Sequence, residues 1–255
     1  MKLEKLYDSS KYGQLRVAGF ISGKGTNLIK ILEHEKKLKE ERGTSPFHVA
    51  VIFSDNYKSN ASVIGDTYGI RVFLNGMDNF FEKRGKPIKD KFTRVNYEIE
   101  CMKVLKQFEC PVAAYAGYMR KATPVFVSSF LGVNVHPADL TIKNSDGKPK
   151  YRGDHVVRDA VLAGEKYLRS STHIVDERVD CGNVLMISKP LDINYPLPKN
   201  IEEFSDNVQD ALKEVGDWVI FPKTLEYIAD GRYSKDENEN LYFDGEAIPM
   251  GLRLE

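Results

Sequence analysis

Short apolar runs alternate with helix-patterned stretches along the first half of this chain, and that alternation limits its fold more than any other feature. Arg16–Ser22 (RVAGFIS), Phe47–Ser54 (FHVAVIFS) and Pro111–Ala116 (PVAAYA) lack the polar alternation of a strand with one wet face. They read as strands covered on both sides of a sheet. Gly69–Phe73 and Gly132–His136 add two more strands. Between them, Leu28, Ile31 and Leu32 recur at helical spacing, with the charged stretch Glu33–Arg42 on the same helix or just beyond it. Ala61–Tyr68 and Val125–Phe130 read as helices, and Thr93–Gln107 places Tyr97, Cys101, Val104 and Leu105 on one helical face. The polar stretch Asn75–Lys91 reads as a surface loop. Strand and helix in alternation predict an α/β fold with a doubly wound, mostly parallel sheet.

After His136 the pattern changes towards a more antiparallel C-terminal part. Asn144–Pro149 is a turn cluster, Asp154–Ala163 a short helix, and Ser170–Val175 and Asn183–Pro190 pair around a turn at Asp180-Cys181-Gly182. Ile201–Asp230 forms a long helix interrupted or kinked near Pro222, and the tail ends in strand-like pieces such as Tyr242-Phe243. With no repeat and no long linker, a single domain is expected over 16–250, in halves of about 16–110 and 111–250, after an N-terminal extension at 1–15. Lys+Arg and Asp+Glu both count 37, which argues against the basic face of a general nucleic-acid binder. Three cysteines without metal-type spacing fit a reducing compartment. No apolar run approaches the ~20 residues of a membrane span. A cytoplasmic protein acting on small molecules is expected, without nucleic acid, membrane or metal, as a monomer or homodimer.

Three constellations could carry chemistry. Ser22-Gly23-Lys24-Gly25-Thr26-Asn27 joins a strand to a helix, where free amides attract anions. It has neither the third glycine of a dinucleotide fingerprint nor the ending of a P-loop, so it is either a single-phosphate site or an ordinary turn. Asn134-Val135-His136-Pro137 lies at the carboxyl end of a strand, the edge where open α/β sheets bind ligands. Residues two apart share a strand face, so an amide donor and an imidazole could stabilise an oxyanion and move a proton. The plainer alternative is a histidine satisfied within the core. His173, Asp176, Glu177 and Asp180 precede Gly182, either as a solvated acidic turn or as the carboxylate that would raise the pKa of His136. Arg94, Tyr97 and Glu98 fall within one helical turn and read by default as a surface salt-bridged face.

Taken together these segments resemble the glycinamide ribonucleotide transformylases, a family of folate-dependent formyltransferases with a Rossmann-like fold. Ser22-Gly23-x-Gly25-Thr26-Asn27-Leu28 is similar to their phosphate loop, and Ala116-Gly117-Tyr118-Met119-Arg120 to their Ala-Gly-Phe-Met-Arg segment. Asn134-x-His136-Pro137 is similar to their catalytic strand, and His173 with Asp176-Glu177-x-x-Asp180-x-Gly182 to a later loop. Ile220-Phe221-Pro222 and Ala229-Asp230-Gly231-Arg232 complete the register, from about Arg16 to Pro249. The resemblance implies formyl transfer from 10-formyltetrahydrofolate to the amine of glycinamide ribonucleotide, in purine synthesis. By position it assigns Asn134, His136 and Asp180 to catalysis. Gly25, Thr26 and Asn27 would hold the substrate phosphate, with Arg94, His173 and Asp217 also on the substrate side. Asp217 stands where the family has glutamate, facing the ribose hydroxyls. Met119, Arg120, Ala122 and Asp176 would line the folate pocket.

The chain also departs from the pattern. His-Pro-Ser-Leu-Leu-Pro is replaced by His136-Pro137-Ala138-Asp139-Leu140-Thr141, a polar insertion runs from Lys143 to Lys148, and Asp-Gly-Gly has become Asp180-Cys181-Gly182. Formyl transfer to a nucleotide-linked amino sugar, and a catalytically inactive binding relative, are the competing readings.

Overall fold

The computed structural model describes residues 2–194 and 199–255 of the chain; the expected extension at 1–15 and domain at 16–250 include residues 1 and 195–198, which lie outside the described residues. The chain divides into two units, Ser9–Val133 and a second made of Met1–Asp8 with Asn134–Glu255. The first strand, β1 (Glu4–Lys5), belongs to the second unit.

In Ser9–Val133, a short helix α1 (Ser9–Tyr12) leads into β2 (Leu15–Ile21), α2 (Thr26–Arg42), β3 (Phe47–Ser54), α3 (Ala61–Tyr68) and β4 (Arg71–Leu74). Then come α4 (Met77–Glu82), α5 (Lys91–Leu105), β5 (Val112–Tyr115) and α6 (Pro124–Ser129), and β6 (Leu131–His136) begins here and ends in the other unit. β2 pairs in parallel with both β3 and β5, and β3 in parallel with β4. The unbroken apolar runs were therefore a sound sign of parallel strands. Phe20 on β2 is fully buried and packs edge-on against Phe53, Phe126 and Phe130. Burying such a ring contributes roughly 2–3 kcal/mol. The β2–β3 register shifts between Val17 and Ala18, and the nearby Val49 amide donates to buried Glu35 at 3.0 Å.

Asn75–Lys91 is not wholly a loop. Met77, Phe80 and Phe81 are spaced to share one face of α4 and are buried, with Phe80 edge-on to Tyr97 at 5.2 Å. Three large apolar side chains secure a helix that the surrounding charges obscure. Residues 83–89 are exposed, and Asp90 then caps α5 by accepting from the Thr93 amide at 2.7 Å.

The second unit holds α7 (Val156–Leu162), β7 (Tyr167–Leu168), β8 (Ser171–Ile174), β9 (Val184–Ile187), β10 (Leu191–Asp192) and α8 (Ile201–Leu212). After a π-turn at Lys213–Asp217 come α9 (Trp218–Ala229), β11 (Tyr233–Lys235), β12 (Leu241–Phe243), β13 (Glu246–Ala247) and β14 (Leu252–Arg253). β8 and β9 pair antiparallel, as the hairpin reading expected, while β14 joins β9 in parallel. A separate antiparallel sheet runs β1-β11-β12-β13. Val156, Val157, Ala160 and Val161 of α7 pack with Val208 and Leu212 of α8.

The long C-terminal helix is interrupted, but not at Pro222, which sits inside α9. The break is the π-turn, where Gly216 lies so close to Ser170 that an added Cβ would stand 2.5 Å from its hydroxyl. Pro222 removes one backbone donor early in α9, a loss the helix tolerates.

Candidate active site

β6 ends with Asn134 and His136, half-buried and buried respectively, both within the second unit. Asp180 reaches the same place from the turn between β8 and β9. Its φ of 51° lies in the left-handed region. Two residues on, Gly182 is packed so tightly that an added Cβ would fall 1.8 Å from the Ile174 carbonyl oxygen. Only glycine closes the hairpin in this way.

The carboxylate of Asp180 spans two imidazoles. Oδ2 lies 3.5 Å from His136 Nδ1, and Oδ1 lies 3.4 Å from His173 Nε2. These are ion-pair distances, longer than a tight hydrogen bond. Asn134 Nδ2 stands 3.2 Å from His173 Nε2. The structure thus gathers Asn134, His136, Asp180 and His173 into one cluster.

Two further residues enter through their backbones. The Gly153 amide donates to Asp180 Oδ2 at 2.8 Å, and His136 Nε2 donates to the Tyr151 carbonyl at 3.1 Å. Tyr151 is held in turn through its hydroxyl, which donates to Glu165 at 2.7 Å. Sequence reasoning missed both, since a backbone group leaves no side-chain signature.

These contacts set the protons. The carbonyl facing His136 Nε2 requires a proton there, and the Ile174 carbonyl 3.0 Å from His173 Nδ1 requires one there too. In their neutral forms both rings would turn a lone pair towards Asp180, so a proton gained by either ring is drawn to that side. Burial pushes the pKa of His136 down, Asp180 pulls it up, and His173 adds to the lowering; the net shift is downward. Asp180 thus raises it as expected, but desolvation outweighs the carboxylate. Burial alone would raise Asp180, but the His173 hydrogen bond, the charge of His136 and the Gly153 amide hold it at about 2. Asp180 is therefore ionised at neutral pH, beside an imidazole that burial biases towards its neutral form.

The remaining candidates of this unit lie differently. Asp217 is buried on the π-turn, and its Oδ1 accepts from Ser170 Oγ at 2.5 Å. Asp176 accepts from the Arg178 amide at 2.7 Å and from its guanidinium Nε at 3.0 Å.

In Ser9–Val133, Gly25 precedes α2 with φ of 69°, and an added Cβ would meet Ile64 at 2.7 Å. Thr26 and Asn27 open the helix, and no side chain caps it. Its leading amides lack intrahelical acceptors, which suits an anion. The guanidinium of Arg94 donates to Lys121 O at 2.7 Å and to Glu98 at 3.2 Å, and it also touches the Met77 sulfur. Tyr97 and Glu98 are fully buried, so this helical turn is not the surface face expected. Glu98 instead accepts from the amides and hydroxyl that begin α6, including Thr123 Oγ1 at 2.7 Å. Burial pushes its pKa up, against the hydrogen bond from Thr123.

Met119 is 71% exposed, and its amide donates to Ser22 Oγ at 3.0 Å. Arg120 donates through Nε to buried Asp55 at 2.8 Å and through Nη2 to Asp78 at 3.0 Å. Asp55 also accepts from Ser22 Oγ at 2.5 Å, and Ala122 is buried. Asp55 was not singled out from sequence, since one acidic residue after a strand carries no pattern. Among the described residues no three His, Cys, Asp or Glu side chains group as they would around a metal ion.

A family model described as formyl transferase matches residues 15–215, most of the chain. The chain belongs to the formyl transferase family. Among the family's members it is similar to the phosphoribosylglycinamide formyltransferase of Escherichia coli, at 27% identity over 92% of this chain and 96% of that one. It is also similar to the trifunctional purine biosynthetic protein adenosine-3 of Drosophila melanogaster, at 27% identity over 85% of this chain but 14% of that much longer one. A solved phosphoribosylglycinamide formyltransferase from Coxiella burnetii has the same fold, with a TM-score of 0.73, 23% identity, and coverage of 95% of this chain and 100% of that one. This formyl transferase is thus the mixed α/β protein that its strand pattern foretold.

Proposed function

We propose that the protein transfers a formyl group from 10-formyltetrahydrofolate to the amine of glycinamide ribonucleotide, a step of purine biosynthesis. One observation carries the reading: an ionised, half-buried Asp180 lies within 3.5 Å of both His136 and His173, with Asn134 beside them. The names of the relatives support this acceptor and place the reaction in purine synthesis. The donor set fits a formyl carbonyl, because it joins an amide, an imidazole and a fixed negative charge.

The folate supplies a formyl group already activated on nitrogen. Attack by the acceptor amine forms the new C–N bond and puts negative charge on the formyl oxygen. Asn134 has a second amide hydrogen to offer that oxygen, and a protonated His136 offers charge. Asp180 stabilises the imidazolium as it forms. The amine must lose a proton while the leaving folate nitrogen gains one, and Asp180 with His136 can pass it between them. Gly25, Thr26 and Asn27 would receive the ribonucleotide phosphate. Met119, Arg120, Ala122 and Asp176 would line the folate side.

Arg94 and Asp217 keep their substrate-side assignment, although both are now bonded within the protein. The natural setting is a cytoplasmic enzyme of small molecules, monomeric or homodimeric. The deciding experiment is a single-turnover assay with 10-formyltetrahydrofolate and, separately, glycinamide ribonucleotide or a nucleotide-linked amino sugar. Product from the ribonucleotide alone is expected. Product from the amino sugar alone, or from neither, would refute the reading.

A further inference from the structure

We propose that Arg253 is a positioning residue for His136, acting through Asp139. This rests on the formyl-transfer reading of the cluster, and it adds a part of the chain that no motif marks. Asp139 lies three residues after His136, where the formyltransferase pattern has an apolar residue, and it is buried. A buried carboxylate at an apolar position needs partners, and Asp139 has them among the described residues.

Oδ1 of Asp139 accepts from the Thr141 amide at 3.0 Å and from the Thr141 hydroxyl at 2.5 Å. Oδ2 accepts from Arg253 Nη2 at 3.1 Å, and the same nitrogen donates to Thr141 Oγ1 at 2.8 Å. Arg253 is therefore the cation that neutralises Asp139. Its backbone is fixed as well: β14 pairs with β9 through Leu252 opposite Met186 and Arg253 opposite Ile187, and the Leu254 amide donates to Ile187 O at 3.0 Å.

β9 pairs with β8, the strand of His173. From β8, Ser171 donates to Ala138 O at 2.7 Å and accepts from the Leu140 amide at 3.1 Å. Residues 138–141 are thus tied to β8 by Ser171 and to β14 by Arg253. Those ties fix where the chain goes on leaving His136.

His136 has little latitude. Its contact to Asp180 is already long at 3.5 Å, and its one ordinary hydrogen bond is to Tyr151 O at 3.1 Å. Without the guanidinium, Asp139 would have to turn towards water for its lost partner, drawing residues 138–141 and the His136 backbone with it. Displacement by about 1 Å can cost up to about 10²-fold in rate. Half-exposed Arg253 does not touch the imidazole, so its influence must pass through the chain.

The test compares the full-length protein with Arg253→Gln, Asp139→Asn and the double variant. R253Q is expected to lower kcat about tenfold with KM for both substrates within about twofold, since ground-state binding is untouched. The double variant replaces the ion pair by two neutral amides and is expected to recover most of that loss. Arg232→Gln, which removes an exposed pair with Asp244, is the control and should leave kcat unchanged. Parental kcat in R253Q, or a double variant as impaired as the two single losses multiplied, would overturn the proposal. Should R253Q fail to fold, Arg253→Lys keeps the charge but not the guanidinium nitrogen that bridges Asp139 and Thr141, and a smaller fall in kcat is expected; no fall at all would count against the idea. Imidazole resonances by NMR give a readout without turnover: those of His136 should move in R253Q while those of His34 stay. If the parent transfers no formyl group, the functional reading fails, and the ring resonances alone still decide the positioning role.

Discussion

The cluster around Asp180 and the loop that follows β5 are both built from charged residues near ligand-type positions, yet they treat those charges in opposite ways. Around Asp180 the closest approaches between charged partners are 3.4 and 3.5 Å, and each imidazole has one nitrogen committed to a carbonyl and one facing the carboxylate. In the loop, Arg120 meets Asp55 at 2.8 Å and Arg94 meets Lys121 O at 2.7 Å, with Glu98 saturated by the start of α6. Loose partners around a half-buried carboxylate leave protons free to move. Saturated partners hold a backbone still. The first arrangement suits chemistry and the second suits a wall against which a ligand rests, with exposed Met119 presented by a braced chain.

The comparison breaks most visibly if His136 is removed. His136→Ala is expected to cut kcat by roughly 10²–10⁴ while circular dichroism still shows the parental fold. A variant within twofold of the parent would put the chemistry elsewhere. Next in size is the braced loop. Arg120→Ala leaves Asp55 buried without its cation, and the cost should be about 2 kcal/mol of stability by urea denaturation, below the full penalty for a buried pair because Arg120 is partly exposed. An unchanged midpoint would mean that water replaces the guanidinium freely.

Acid sharpens the contrast further. The lowered pKa of His136 means that folding favours the neutral ring, so the stability it contributes is present above about 6.5 and is lost as pH falls through the folded value. Asp180, lowered to about 2, has the same sign, and its share is lost only between about 3.8 and 2. Urea midpoints from pH 8 to pH 5 should therefore fall for the parent and fall less for His136→Gln. Equal slopes would deny that the ring is held neutral. The smallest effect has the opposite direction. Tyr118 stands where the resemblance implies phenylalanine, and its buried hydroxyl has no hydrogen-bond partner among the described residues. Tyr118→Phe should raise stability by about 1 kcal/mol; a loss would reveal a bonded water.

Much of the first unit was legible because parallel strands buried on both faces must be apolar throughout, as in Phe47–Ser54. α4 was not, because Met77, Phe80 and Phe81 are three anchors in a stretch otherwise rich in charge. Pro222 pointed to a break in the last helix, whereas the actual break follows from the closeness of Gly216 to Ser170, a tertiary fact that no local rule encodes. At the site, the spacing of Asn134 and His136 on one strand could be read directly. The approach of Asp180 could not be read from spacing, since the 43 positions between it and His136 say nothing about distance, and only the resemblance implied it. Tyr151 and Gly153 act through peptide groups, to which sequence is blind. The helical turn at Arg94 misled because burial, which separates an exposed salt bridge from an internal brace, is invisible in a four-residue pattern.

The backbone of Asp180 offers the experimenter an unusually clean handle. At a φ of 51° most side chains collide with their own carbonyl, whereas aspartate and asparagine tolerate the conformation. Asparagine at 180 therefore swaps only the electrical character of the group and preserves the curl of the hairpin. Alanine or glutamate would alter shape and charge together, so a screen relying on them would confuse a bent loop with a missing anion.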